Sequence, residues 1–95
     1  MSLKTLIVDD EPIARQVLRE ELEHFHDVEV TGEARDGTSA LTAIRELSPD
    51  LVFLDLQMAG LDGFDVIRNL PAAGPVPMVV IVTAFDRRQP SSAVA

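Results

Sequence analysis

The sequence predicts an α/β domain, a parallel β-sheet with helices on both faces, and three observations carry that expectation. Short continuous apolar runs recur along the chain, Leu6-Ile7-Val8, Leu51-Val52-Phe53-Leu54 and Met78-Val79-Val80-Ile81-Val82, as expected of strands covered on both faces. Segments of helical period lie between the strands. Each run ends on an oxygen-bearing side chain, Asp9, Asp55 or Thr83. Ligands of parallel sheets bind beyond the carboxyl ends of the strands, so topology brings these residues together.

The elements follow in order. The first strand stops at Asp9-Asp10-Glu11, and Pro12 then occupies a first helical turn, where its missing N–H costs nothing. Apolar Ile13, Val17, Leu18, Leu22 and Phe25, with Ala14, form one side of the first helix, while Arg15, Arg19, Glu20 and Glu23 take the other. Val28, Val30 and Gly32 alternate with Glu29, Thr31 and Glu33, which predicts an edge strand with one face partly wet. Asp36-Gly37 signals a turn, and Ala40, Leu41, Ile44 and Leu47 repeat at helical spacing until Ser48-Pro49. After the central strand, Gly60-Leu61-Asp62-Gly63 is loop chemistry. Asp62 would cap a short helix carrying Phe64, Ile67 and Leu70, closed by Pro71 and Gly74-Pro75. The segment from Asp86 to Ser92 is polar and without period, so residues 87–95 are expected to form a loop or disordered tail.

Composition narrows the function. Ninety-five residues hold one small domain. Sixteen acidic against eight basic residues give a net charge of −8, which repels phosphate backbones and anionic lipid, so neither direct nucleic-acid binding nor membrane binding is expected. Without cysteine there is no disulfide, thiolate metal site or cysteine nucleophile. The N-terminus opens no signal peptide and no apolar run spans a bilayer, so a cytoplasmic location is expected.

Asp9, Asp10 and Asp55 converging at one sheet edge would repel unless protonated or neutralised by a cation. Mg²⁺ suits such a site: it takes a few carboxylates and completes its octahedron with water and phosphate oxygens. Zinc does not, since no His or Cys joins the pattern. A carboxylate beside Mg²⁺ can attack phosphorus and form an aspartyl phosphate. Asp55, alone at the end of the central strand, is the candidate. The bland alternative is that Asp10 or Glu11 only complements the positive end of the first helix. Thr83 is either a locally bonded strand-end hydroxyl or a phosphate partner.

Three segments carry a resemblance to a known family: Leu6-Ile7-Val8-Asp9-Asp10-Glu11-Pro12, Leu51-Val52-Phe53-Leu54-Asp55-Leu56-Gln57-Met58 followed by Gly60-Leu61-Asp62-Gly63-Phe64, and Val79-Val80-Ile81-Val82-Thr83-Ala84. Over residues 4–86 the chain resembles the receiver domain of bacterial two-component response regulators, and more loosely regulators of the LytTR type, whose separate output domain binds DNA. The resemblance implies a flavodoxin-like sheet of strand order 2-1-3-4 and a receiver domain over residues 1–86. It implies that Asp55 accepts a phosphoryl group from a histidine kinase or a small phosphodonor. Mg²⁺ would be held by Asp10 and Asp55 directly, by Asp9 through water and by the backbone carbonyl of Gln57. Thr83 would hydrogen-bond the phosphoryl group and bias the surface beyond it between two states. Small Ala84 would leave room for the incoming donor.

Two departures from the family stand out. Ala59 replaces a usual proline, with some loss of loop rigidity. The chain also ends before the family's fifth strand and its Lys-Pro pair, so the fifth strand is missing and the receiver incomplete. Its single lysine, Lys4, lies at the wrong end of the first strand, and Arg87 and Arg88 read as a solvated pair. The fourth strand is then expected to be an open edge, with Val79 or Ile81 exposed, so a homo-oligomer is expected through that edge or the bare sheet face. Two functions follow: a phosphoacceptor switch, which is not a turnover enzyme, or a phosphorylation-incompetent interaction module. A phosphohydrolase of the haloacid-dehalogenase type would want a second Asp where Gln57 stands. His24 and His26, two apart, share no helix face and read as solvated; Met58 and Met78 read as fillers, and Phe85 as packing.

Overall fold

The computed structural model describes residues 2–56, 58, 63–70 and 76–82. Expectations for Gln57, Ala59, Asp62, Thr83, Ala84, Phe85, Arg87, Arg88 and the tail lie outside the described residues.

Strands and helices alternate: β1 (Leu3–Val8), α1 (Pro12–Leu22), β2 (Val28–Ala34), α2 (Gly37–Leu47), β3 (Leu51–Leu54), α3 (Gly63–Arg68) and β4 (Met78–Ile81). All pairings are parallel and the order is β2-β1-β3-β4, so the expected order 2-1-3-4 is the one observed. β1 begins earlier than its apolar run, because Leu3, Lys4 and Thr5 pair with Val28, Glu29 and Val30. The register then slips between Thr5 and Leu6, which faces Gly32. The Thr31 hydroxyl at that irregularity donates to the Thr5 carbonyl at 3.3 Å.

Chain direction explains the layering. From β1 the chain moves one way to β2, then reverses across β1 to β3 and on to β4. With right-handed crossovers, this puts α1 on one face and α2 with α3 on the other. The pleat divides the strands accordingly. Leu6, Val8, Val52 and Leu54 join Ala40 and Ile44 of α2, Val66 of α3 and Met58 in one buried cluster. Ile7 and Thr5, fully buried, point the other way. The Thr5 hydroxyl is satisfied by donating to the Leu3 carbonyl at 3.0 Å.

Two helices turn only part of the expected stripe inward. In α1, Ile13, Val17 and the following Phe25 are 76%, 52% and 59% exposed. Of the expected stripe the helix settles on Ala14, Leu18 and Leu22, spaced by four, with the stems of Arg15 and Arg19 along the flank. In α3, Phe64 and Ile67 are exposed while Gly63 and Val66 are buried and Leu70 packs against the core. At α2, Asp36 is more than a turn residue. Its carboxylate accepts from the Ser39 amide at 2.7 Å in a capping box. The expected stop at Ser48-Pro49 holds: Ser48 turns left-handed at φ 47°. Met58 fills the core, and His24 and His26 are exposed. In β4, Val79 packs against the core, whereas Met78 and Ile81 are 69% and 42% exposed.

Candidate functional site

Beyond the carboxyl ends of β1 and β3, main-chain bonds hold the first residue of each loop in line with the sheet. The Asp9 amide donates to the Ala34 carbonyl of β2, and the Asp55 amide to the Val8 carbonyl of β1, each at 3.0 Å. The Val82 amide does the same to Leu54 at 2.8 Å. The residue after each strand is thereby fixed by the neighbouring strand, and side chains 46 positions apart meet.

Asp9, Asp10 and Asp55 offer carboxylate oxygens all within 4.8 Å of one another. Asp55 is buried at 3% exposure, Asp9 half-buried and Asp10 exposed, so the cluster opens to solvent on one side. Charges this close repel by about 3–4 kcal/mol per ionised pair at a surface-like dielectric. Repulsion of that size is relieved by a proton or a cation. The donor set is all oxygen and open on one side, which fits a partly hydrated Mg²⁺ and not a soft metal. The first loop is internally braced, since the Glu11 amide donates to Asp9 Oδ1 at 2.9 Å.

Three residues around this cluster, Arg15, Glu33 and Gly63, take parts that the sequence signals only weakly. Arg15, on the polar side of α1 by sequence, donates from Nη1 to the Asp9 carbonyl at 2.6 Å and from Nε to Glu33 Oε1 at 3.0 Å. Glu33 also accepts from Arg19 Nε at 2.7 Å. The Arg19 bond above all, with Arg15 assisting against partial burial, holds the Glu33 carboxyl below its ordinary pKa. The available signal was weak: two arginines four apart on α1, and an acid at the end of the next strand. Gly63, in a run of loop residues by sequence, abuts the end of β3, where a Cβ would lie 2.7 Å from the Asp55 carbonyl oxygen. Lys4 sits at the opposite end of β1, where its amide donates to Asp50 Oδ2 at 2.9 Å.

The family described as the response regulator receiver domain matches residues 5–94. Over 82 residues, 86% of this chain and 24% of the relative, the chain is 48% identical to protein-glutamate methylesterase/protein-glutamine glutaminase 5 of Myxococcus xanthus. It is 40% identical over 84 residues to the transcriptional regulatory protein BtsR of Escherichia coli, covering 88% of this chain and 35% of that protein. The chain thus spans a quarter to a third of these curated relatives. Among solved structures, the response regulator domain of Thermotoga maritima CheB superposes with a TM-score of 0.82 at 26% identity, over 99% of this chain and 69% of that one. The isolated REC domain of RcsB from Salmonella enterica, solved with phosphomimetic BeF3⁻, gives a TM-score of 0.80 at 28% identity, over 99% and 70%.

Proposed function

This chain belongs to the response regulator receiver domain family, which accepts phosphoryl groups in two-component signalling, and on that premise we propose that Asp55 is its phosphoacceptor. The observation that carries the reading is the convergence of Asp9, Asp10 and Asp55 within 4.8 Å, with Asp55 innermost. In this reading an Asp55 carboxylate oxygen attacks the phosphorus of a kinase phosphohistidine. The new O–P bond forms as the P–N bond breaks, and the electron pair stays on the departing imidazole. With acetyl phosphate as donor, acetate leaves instead.

Receivers typically bind Mg²⁺ at such an acidic pocket. Here Asp10 and Asp55 would hold it directly, Asp9 through water, and the Gln57 carbonyl would complete the protein's share. Bound there, the ion supplies neutralising charge to the phosphoryl oxygens. The burial of Asp55 excludes water from one side of the nucleophile. Thr83 is proposed to hydrogen-bond the phosphoryl group and to couple it to the surface beyond. The family lysine is not offered by these 95 residues, whose single lysine, Lys4, is the second residue of β1.

The printed names of the relatives, a methylesterase and a transcriptional regulator, differ in output while sharing this segment. This supports assigning the switch chemistry to the shared segment, and a DNA-binding output of the LytTR type is a proposal about a longer protein. No described helix is long and apolar enough to cross a membrane, and a cytoplasmic location belongs to the same proposal. So does the division into a receiver body over 1–86 and a tail over 87–95, for which limited proteolysis should cut first within the tail.

The decisive experiment is intact-mass spectrometry after incubation with acetyl phosphate and Mg²⁺. A phosphoryl adduct on the native chain, absent in Asp55→Asn and without metal, is the expected result. A folded chain that forms no adduct would favour the second reading, an interaction module. The exposed Met78 and Ile81 of β4 support that reading, and through them we propose that copies of the chain associate.

A further inference from the structure

Asp9 is gripped at three points: its amide by Ala34, its carboxylate by the Glu11 amide, and its carbonyl by Arg15. The last grip has the widest consequence. The Asp9 carbonyl belongs to the peptide plane joining Asp9 to Asp10, and a planar peptide leaves only the flanking dihedrals to turn. Holding that oxygen fixes ψ of Asp9, and with the next amide, Glu11, bonded back to the Asp9 carboxylate, it restricts φ of Asp10 and so the direction in which the Asp10 side chain leaves the backbone. Asp10 is exposed, so packing does little to aim it. Arg15 is itself held: its Nε is bonded to Glu33, which Arg19 braces from the same helix. The fork of one guanidinium thus ties α1, the end of β1 and the end of β2 into a single frame.

We propose that Arg15, anchored by Glu33, is a positioning residue that presets Asp9 and Asp10 for the divalent cation; this rests on the reading of the three aspartates as a Mg²⁺ site. Arg15 does not touch the cation. It removes the rotation of one peptide plane that the acids would otherwise have to lose on binding, the part played by partners of metal ligands generally.

The test is a titration of the 95-residue chain with Mg²⁺ alone, by calorimetry, for the native protein, Arg15→Ala, Arg15→Lys, Glu33→Gln and Arg19→Ala. Circular dichroism reports whether each variant folds. The expected result is a Kd raised about tenfold or more in Arg15→Ala. Arg15→Lys, which keeps a donor but not the fork, should fall between that variant and native. Arg19→Ala, which leaves the Asp9 carbonyl bonded, should lose much less. In the metal-free protein, exchange of the Glu11 amide should quicken in Arg15→Ala while that of the Asp55 amide does not. A folded Arg15→Ala that binds Mg²⁺ as the native chain does overturns the positioning role and leaves the metal site standing. A native chain that binds no Mg²⁺ overturns both. If Arg15→Ala does not fold, Arg15→Lys and Glu33→Gln decide: native affinity in both overturns the proposal.

Discussion

A methyl group added at Gly63 would lie 2.7 Å from the Asp55 carbonyl oxygen and 2.7 Å from Leu56 Cα, main-chain atoms that cannot swing aside. Gly63→Ala is therefore expected to cost about 1–3 kcal/mol in thermal or urea unfolding, because the strand end or the helix must shift. Its Mg²⁺ affinity should fall too, since Asp55 moves with its own carbonyl. Gly32 is the contrast. Its added Cβ would meet Leu47 Cδ1 at 2.8 Å, the free end of a partly exposed side chain that can rotate away. Gly32→Ala should stay within about 0.5 kcal/mol of native. Glu33 carries a pH prediction. Its folded pKa is depressed below the ordinary 4.5, by Arg19 first, so its contribution is complete above pH 4.5 and is lost as pH falls through the depressed value. Glu33→Gln should flatten that acid limb of the stability curve, measured by urea unfolding across the range.

Among the helices, α2 ends on Ser48 in the left-handed region at φ 47°, where a Cβ is costly and glycine is not. Ser48→Gly is expected to gain about 1 kcal/mol, or roughly 4–8 °C in Tm for a domain of this size. At the other end, Asp36→Ala should lower Tm by removing the acceptor of the Ser39 amide. The Ser39 amide, with its hydroxyl, holds the Asp36 carboxyl below its ordinary pKa. The cap is therefore complete above the ordinary value and weakens as pH falls through the lowered one. All seven elements were legible from periodicity and turn chemistry, but the rotation of α1 and α3 about their axes was not. In α1 the inward stripe begins with Ala14, too small to outweigh Ile13 and Val17 in a hydrophobic pattern. What turns it inward is the surface of β1 and β2 and the reach of Arg15 and Arg19 to Glu33. In α3 the phase is set by Gly63, which must abut Asp55 and Leu56.

At the scale of the molecule, the sheet is bounded among the described residues by β2 on one side and β4 on the other. β2 is blunted by alternating Glu29, Thr31 and Glu33. β4 carries no charge and exposes Met78 and Ile81. An uncharged apolar edge is a template for pairing with another chain. The 95-residue chain is expected to associate with rising concentration in light scattering after gel filtration. Met78→Lys or Ile81→Lys should return it to monomer by placing like charges opposite one another across a paired edge. A chain that is monomeric at all concentrations would remove the oligomer from the proposed function.

The α/β class, the boundaries of most elements and the three acids at the strand ends are all legible in the chain before it folds. Each rests on local chemistry: apolar runs, turn residues, and an abrupt change from Val8 to Asp9 and from Leu54 to Asp55. Strand order entered by resemblance and was met by the observed pairing. How those acids are held is set instead by the packed fold. The Arg15 clamp joins residues 6 and 18 positions apart, and the seat of Gly63 depends on a main-chain approach of 2.7 Å. No periodicity encodes either, because both arise where separate elements meet, and the position of each element is fixed by packing against the others.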